Sequence, residues 1–258
     1  MMLDCKLGLV SVIMPCFNSQ DTIKSSIISV LNQKYENWEL IICDDNSNDS
    51  SISEIEKFDD RRIVLLRNSY NKGAARTRNK ALSVARGQYI AFLDSDDLWH
   101  EDKLKVQVDY MENHSCVLSY GDYDVIDLND NIIGQFTSNS DIDFEKLCKT
   151  CDIGCLSVMI DHRKLVKPFS FPLSPKEDFA AWIVLSIQKG AHFGKFPGTY
   201  CKYRVGGRTL SSNKLKEIKK QYYVLRKYAN LSVAKALYCL LFYILNGLSK
   251  HFLSYRRL

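Results

Sequence analysis

The nine cysteines offer no pairing pattern: they are scattered and odd in number. No paired cysteine motif accompanies the one tight group, Cys148, Cys151 and Cys155. This argues against a disulfide framework and a zinc or iron–sulfur site, and for small buried apolar residues in a reducing cytosol. Met1 to Gly8 carries Asp4 and Lys6 and no apolar run, so no signal peptide is expected. The longest apolar stretch, Leu237 to Leu245, is closed by Asn246 and Gly247, which argues against a membrane span. Internal repeats and low-complexity tracts are missing. Acids are nearly absent after residue 200: Glu217 stands against thirteen Lys/Arg, out of 30 acids and 35 Lys/Arg in the whole chain. The body is therefore net negative, which argues against nucleic acid as a partner. The basic tail instead suits an anionic lipid surface.

What is present fits one large α/β domain with a tail. The chain has 258 residues, 46% hydrophobic and 25% charged, enough to bury a core without staples. Val10 to Met14, Trp38 to Cys43, Ile63 to Leu66 and Tyr89 to Leu93 are short apolar runs. Ile23, Ile27, Val30 and Leu31 repeat at helical spacing, and Ala74 to Arg86 reads as a helix ended by Gly87. Strands apolar on both faces lie under helices on both sides, giving an open, mostly parallel sheet. Cys116 to Phe136 reads as shorter strands with a hairpin turn at Asn129-Asp130-Asn131. Glu177 to Gln188 reads as a helix.

Ligands of such sheets bind beyond the carboxyl ends of the strands. Three strands end in polar clusters: Pro15 to Asn18, Asp44-Asp45-Asn46-Ser47 and Asp94-Ser95-Asp96-Asp97. All three should face one crevice. Carboxylates this close raise each other's pKa unless a cation intervenes, and with little His or Cys nearby they select Mg²⁺ or Mn²⁺. An Asp-x-Asp phosphatase would want Thr or Val where Leu98 stands. Lys72-Gly73 lacks Walker spacing.

Four motifs in order, Ser11 to Asn18, Asp44 to Ser47, Asn71-Lys72-Gly73 with Arg78-Asn79, and Phe92 to Asp97, resemble the N-terminal half of family 2 inverting glycosyltransferases. Glu177-Asp178 resembles the family's downstream acidic motif. Tyr203-Arg204 with Leu210 to Lys214 resembles the C-terminal loop of bacterial O-antigen and surface-polysaccharide members. The chain departs from the family at Ala81, where Gly is frequent.

The resemblance implies a GT-A fold: an α/β domain with a helical basic C-terminal extension. Residues 1–208 would be catalytic, with 1–115 binding the nucleotide sugar and 116–208 the acceptor; 209–258 would be a mobile loop and helical tail. It implies that Pro15 and Asn18 shape the uridine pocket and that Asp45 accepts from the uracil imide. Lys72, Gly73 and Arg78 would approach the nucleotide. Asp96 would ligate Mn²⁺ or Mg²⁺, with Asp94 on the ribose or a metal-bound water, Ser95 beside them and Asp97 on a sugar hydroxyl. Trp99, Glu177, Arg204 and Ser211 would serve the acceptor or loop, and Asp178 would be the base.

The implied reaction moves a hexose or N-acetylhexosamine from a UDP-sugar to a hydroxyl of a lipid-linked saccharide, on the cytoplasmic face of the inner membrane. A polyisoprenyl-phosphate sugar synthase and an inactive nucleotide-sugar-binding module are the alternatives.

Overall fold

Val10 to Met14 are fully buried although alternate side chains must point to opposite faces of a strand. That requires a central strand covered on both sides. The computed structural model describes residues 5–150, 152–206 and 214–253 and shows this arrangement. In chain order it runs β1 (Lys6–Cys16), α1 (Ile23–Leu31), β2 (Trp38–Asp44), α2 (Ser51–Ile55), β3 (Ile63–Arg67), α3 (Ala74–Leu82) and β4 (Gly87–Phe92). Then come β5 (Leu98–Trp99), α4 (Lys103–His114), β6 (Leu118–Ile126), β7 (Ile132–Phe136), α5 (Phe144–Lys149) and β8 (Met159–Asp161). The remainder is α6 (Glu177–Ser186), β9 (Phe193–Arg204), α7 (Lys214–Lys227) and α8 (Val233–Leu253).

The sheet order is β3-β2-β1-β4-β8-β6-β9-β5, with β7 on β6. The expectation of parallel pairing holds for β3-β2-β1-β4 and for β6-β9. The rest of the second half differs. β6 joins β7 through a tight turn, which only antiparallel strands can use. β8 runs against both β4 and β6, and β5 against β9. The sheet is therefore mixed.

Val12, Leu40 and Ala91 share one core with Ile27 of α1 and Val108 of α4. Ile13, Ile41 and Phe92 share the other with Ala81 of α3, Trp182 of α6 and Val224 of α7. The Ala81 methyl is fully buried there, so the departure from glycine is accommodated.

Gly87 does not terminate a helix, because α3 ends at Leu82. It opens β4, where a Cβ would lie 2.6 Å from the Leu9 carbonyl oxygen. Close strand approach is what requires glycine there. Pro15 is tolerated in a central strand for a related reason. β4 stops pairing with β1 at Ile13, so Pro15 lies past that ladder and pairs only with Cys43 of β2.

The basic and then apolar helices expected in the tail are α7 and α8, and no described helix is long and apolar enough to cross a membrane. Ser211 and the rest of the expected loop at 209–213 lie outside the described residues.

Candidate active site

The β1 end lies between those of β2 and β4, and its loop touches both. The Asp45 N–H donates to the Cys16 carbonyl at 2.8 Å. Asn18, in the left-handed region with φ 50°, donates its N–H to Ser47 Oγ and accepts from the Asn48 N–H. On the other side, Ser19 Oγ and Ser95 Oγ are 2.7 Å apart, and Thr22 Oγ1 donates to the Ser95 carbonyl. Ser95 is thus a buried tie between loops, not an open ligand-binding group.

Asp45 is 4% exposed and accepts from Asn68 Nδ2, Lys72 N and Gly73 N, each at 2.8 Å. Burial works against its charge, yet these donors hold its carboxyl below the usual range. Hydrogen bonds to a charged acceptor contribute about 1.5–3 kcal/mol each, so Asp45 anchors the 68–73 turn. Gly73 completes that turn at φ 83°, a conformation L side chains rarely adopt. Oδ1 takes two of these bonds and Oδ2 only the one from Gly73, so Oδ2 keeps room for a further donor. Asp44 differs: its Oδ2 accepts from Ser47 N, while its Oδ1 is buried with no partner.

Lys72, Gly73 and Arg76 line a cavity of about 390 Å³ with Leu173, Ser174 and Glu177 opposite. Arg78 and Asn79 act nearby. Asn79 pairs with both sides of Phe171's backbone, Nδ2 to the carbonyl at 2.8 Å and Oδ1 from the N–H at 2.7 Å. Arg78 was expected on the base or phosphates. It is instead a buried brace, donating from one guanidinium nitrogen to Asp94 Oδ1 at 2.6 Å and from the other to Glu177 Oε1 at 2.8 Å. Burial opposes its charge, but Asp94 and Glu177 raise its pKa still further, so it stays cationic.

Glu177 gains less from this pairing. Its burial and the adjacent Asp178 outweigh Arg78, and its carboxyl is raised above the ordinary range. One guanidinium shared between two acids accounts for the asymmetry. Phe92, Phe169, Phe171 and Trp182 pack ring on ring at 5.1–6.1 Å, fixing the end of β4 against α6. Such contacts contribute about 0.5–1.5 kcal/mol each beyond buried area.

Asp178 sits in the first turn of α6, half-buried, with Oδ1 accepting from the Phe179 N–H at 2.7 Å. Its other oxygen has no partner among the described residues. Asp178, Glu177, Asp94 and Arg78 all act electrostatically on the Cys155 thiol, which burial pushes up. Cys155 thus marks the point where donor-side and acceptor-side acids converge.

The Asp94–Asp97 turn separates its carboxylates. Asp97 is 1% exposed and its Oδ1 accepts from the Arg204 N–H at 2.9 Å, so it is turned away from any sugar hydroxyl. Burial, then Asp96 and Asp94, push its carboxyl well up. Arg204, expected at the acceptor, is also buried. It clamps this turn, with Nε on the Asp96 carbonyl at 2.7 Å and a guanidinium nitrogen on Asp127 and Asp130 of the β6–β7 turn. Trp99, likewise expected at the acceptor, is a core residue. Its indole N–H donates to Leu156, and its ring carries the buried Lys103 ammonium at 3.7 Å. Burial draws the Lys103 pKa down to about 7.

Asp96 is the exception: its side chain is open to solvent and has no hydrogen-bond partner among the described residues. Its recessed position and then Asp94 push its carboxyl up to about 6. A cation there would relieve that cost, so the site fits a hard divalent ion. No described group of three or more His, Cys, Asp or Glu could cage one. That leaves substrate phosphates as partners, the usual arrangement for Mg²⁺.

A family model described as glycosyl transferase family 2 matches residues 11–166, which carry the Asp44–Asp45, Lys72–Asn79 and Asp94–Asp97 groups. The chain belongs to glycosyl transferase family 2. This family 2 glycosyltransferase is 46% identical to the Escherichia coli UDP-Glc:alpha-D-GlcNAc-diphosphoundecaprenol beta-1,3-glucosyltransferase WfgD, over 96% of this chain and 97% of that one. Its GT-A fold is similar to that of Staphylococcus aureus TarS residues 1–349 in complex with UDP-GlcNAc. The TM-score is 0.67 at 19% identity, covering 90% of this chain and 70% of that one. The mannosyltransferase PcManGT from Pyrobaculum calidifontis, in complex with GDP-Man and Mn²⁺, gives a TM-score of 0.65 at 17% identity, covering 90% and 68%.

Asp44 and Asp45 share one motif, and only the fold separates the buried Asp44 from the Asp45 that anchors the 68–73 turn. Cys155 belongs to the tight cysteine group read as buried and apolar, and only the fold sets its thiol among these acids.

Proposed function

We propose that the chain transfers glucose from UDP-glucose, with inversion, to a hydroxyl of a lipid-diphosphate-linked N-acetylglucosamine in surface-polysaccharide assembly. The likeness to WfgD supports this donor and acceptor, and that enzyme's beta-1,3 linkage is the expected product. The observation that carries the chemistry is the Arg78 brace, which joins Asp94 on the donor side to Glu177 beside Asp178.

Asp45, whose Oδ2 accepts only the Gly73 N–H and keeps room for a further donor, accepts from the pyrimidine imide while it holds Lys72 and Gly73. Lys72 and Arg76 face the diphosphate across the cavity. Asp96, with Asp94 beside it, would hold Mn²⁺ or Mg²⁺, which would supply neutralisation of the leaving diphosphate's charge. Single displacement requires a base on the acceptor hydroxyl. Asp178 has one oxygen fixed by Phe179 and the other free to take that proton, a contribution of about 10²–10⁴-fold. In this reading the chain works on the cytoplasmic face of the inner membrane, which the basic α7 and the exposed apolar residues of α8 support.

Labelled UDP-glucose and a synthetic N-acetylglucosamine-diphospho-lipid, with Mn²⁺ or Mg²⁺, test this. The expected product is a labelled disaccharide-lipid with a β-1,3 linkage by NMR. Transfer only from another UDP-sugar would overturn the donor, and transfer only onto a polyprenyl phosphate would overturn the acceptor.

A further inference from the structure

We propose that the cavity between α5 and α8 binds the headgroup of an anionic lipid while one face of α8 lies on the bilayer. This rests on the reading of the C-terminal helices as membrane-facing and names where and how they dock.

α8 has two unlike sides. Ala236 and Cys239 are buried in the core shared with α5 and α7. Val233, Leu237, Leu241 and Leu245, spaced by four, are each about half exposed, with Tyr238 exposed beside them. Residues four apart share a helix face, so these four form an apolar stripe roughly 18 Å long. Single exposed apolar residues need no explanation, but a continuous stripe does.

The charge beside the stripe selects the occupant. A cavity of about 200 Å³ flanks it, lined by Phe144, Glu145, Cys148, Lys149, Lys235 and Tyr238 among others. The Lys149 ammonium sits 5.7 Å from the Tyr238 ring and 5.8 Å from the Phe242 ring. It has no carboxylate within ion-pair distance among the described residues. Lys235 is exposed, 3.8 Å from Glu145, whose own side chain is 66% exposed and therefore well screened. Lys216, Lys219, Lys220, Arg226 and Lys227 of α7 face one acid on the same helix, Glu217. An apolar stripe flanked by cations matches the boundary between acyl chains and anionic headgroups.

The same helices reach the active site. Lys176, directly before Glu177 and Asp178, donates from Nζ to Gln221 Oε1 of α7 at 2.8 Å and to the Tyr243 hydroxyl of α8 at 3.2 Å. A bilayer-bound α8 therefore holds the start of α6 close to the surface from which a lipid-linked acceptor arrives.

Flotation of the full chain with vesicles of phosphatidylcholine alone, or of equal parts phosphatidylcholine and phosphatidylglycerol, tests the proposal. The wild type should partition onto the anionic vesicles and lose this at high salt. Each lysine near an anionic surface contributes about fivefold, so K149Q/K235Q should lose both factors while transfer onto a water-soluble acceptor is unchanged. L237Q/L241Q should weaken partitioning onto both vesicle types. Undiminished binding of K149Q/K235Q, with L237Q/L241Q weakened, would overturn the headgroup cavity and leave the membrane-facing reading standing. A wild type that binds neither vesicle would overturn both and leave the stripe to a protein partner.

Discussion

Replacing Arg78 by Met keeps the stem length and removes the charge that joins the two halves of the site. In the wild type the Arg78 side chain is 7% exposed, against 33% for Asp94 and 20% for Glu177. The variant strands two carboxylates with no cation between them. Removing one partner of a buried ion pair costs about 3–5 kcal/mol, and the partial exposure of Asp94 favours the lower end. At about 2–4 °C per kcal/mol for a chain of this size, Tm should fall by roughly 6–12 °C at pH 8. The pH dependence has a definite sign. Without Arg78 the Glu177 carboxyl, already raised by burial and Asp178, loses its counterion, and the penalty belongs to its ionised form. That part of the deficit is full above the raised folded value and shrinks as the pH falls through it. Thermal denaturation of wild type and R78M at pH 8 and pH 5 reads this directly. An unchanged Tm at pH 8 would refute the brace, and an equal deficit at both pH values would assign the loss to packing rather than charge.

Asp44 and Asp45 should separate by assay. D45N puts a donor against the Lys72 and Gly73 N–H groups and should destabilise by about 1–3 kcal/mol in denaturant titrations and lose UDP affinity by calorimetry, whereas D44N, at a side chain turned into the fold, should leave UDP affinity near the wild-type value. D96N should abolish the Mn²⁺-dependent part of UDP binding; undiminished binding with Mn²⁺ present would remove Asp96 as the ligand. R204K keeps the charge but loses the fork that grips Asp96 and the β6–β7 turn, so it should weaken Mn²⁺-dependent UDP binding several-fold with less effect on metal-free binding. Equal losses with and without metal would contradict the clamp.

The donor half was legible because its determinants are local. The β2 and β4 runs end in acids, and the β1 run, which pairs with both, ends in the polar loop between them. Arg78 and Glu177, named by separate motifs 99 residues apart, meet in one ion pair, with Asn79 and Asp178 next to them in the chain. Individual roles were less legible, because a motif does not reveal which oxygen is already engaged. Asp44 and Asp45 are adjacent and chemically identical, yet one is an anchor and the other carries an unpaired acceptor. Arg204 and Trp99 looked like surface groups near a loop, and their burial depends on contacts up to 108 residues away. Strand direction beyond β4 was similarly hidden, since the three-residue β8 has too short a pattern to report how it pairs.

The central claim is that Asp178 takes the acceptor proton opposite a donor held by Asp45 and Asp96. Parallel measurement of UDP-glucose binding and single-turnover transfer in D178N tests it most directly. Unchanged donor affinity with transfer slowed by about 10²–10⁴-fold is the predicted result. Transfer near the wild-type rate would contradict it.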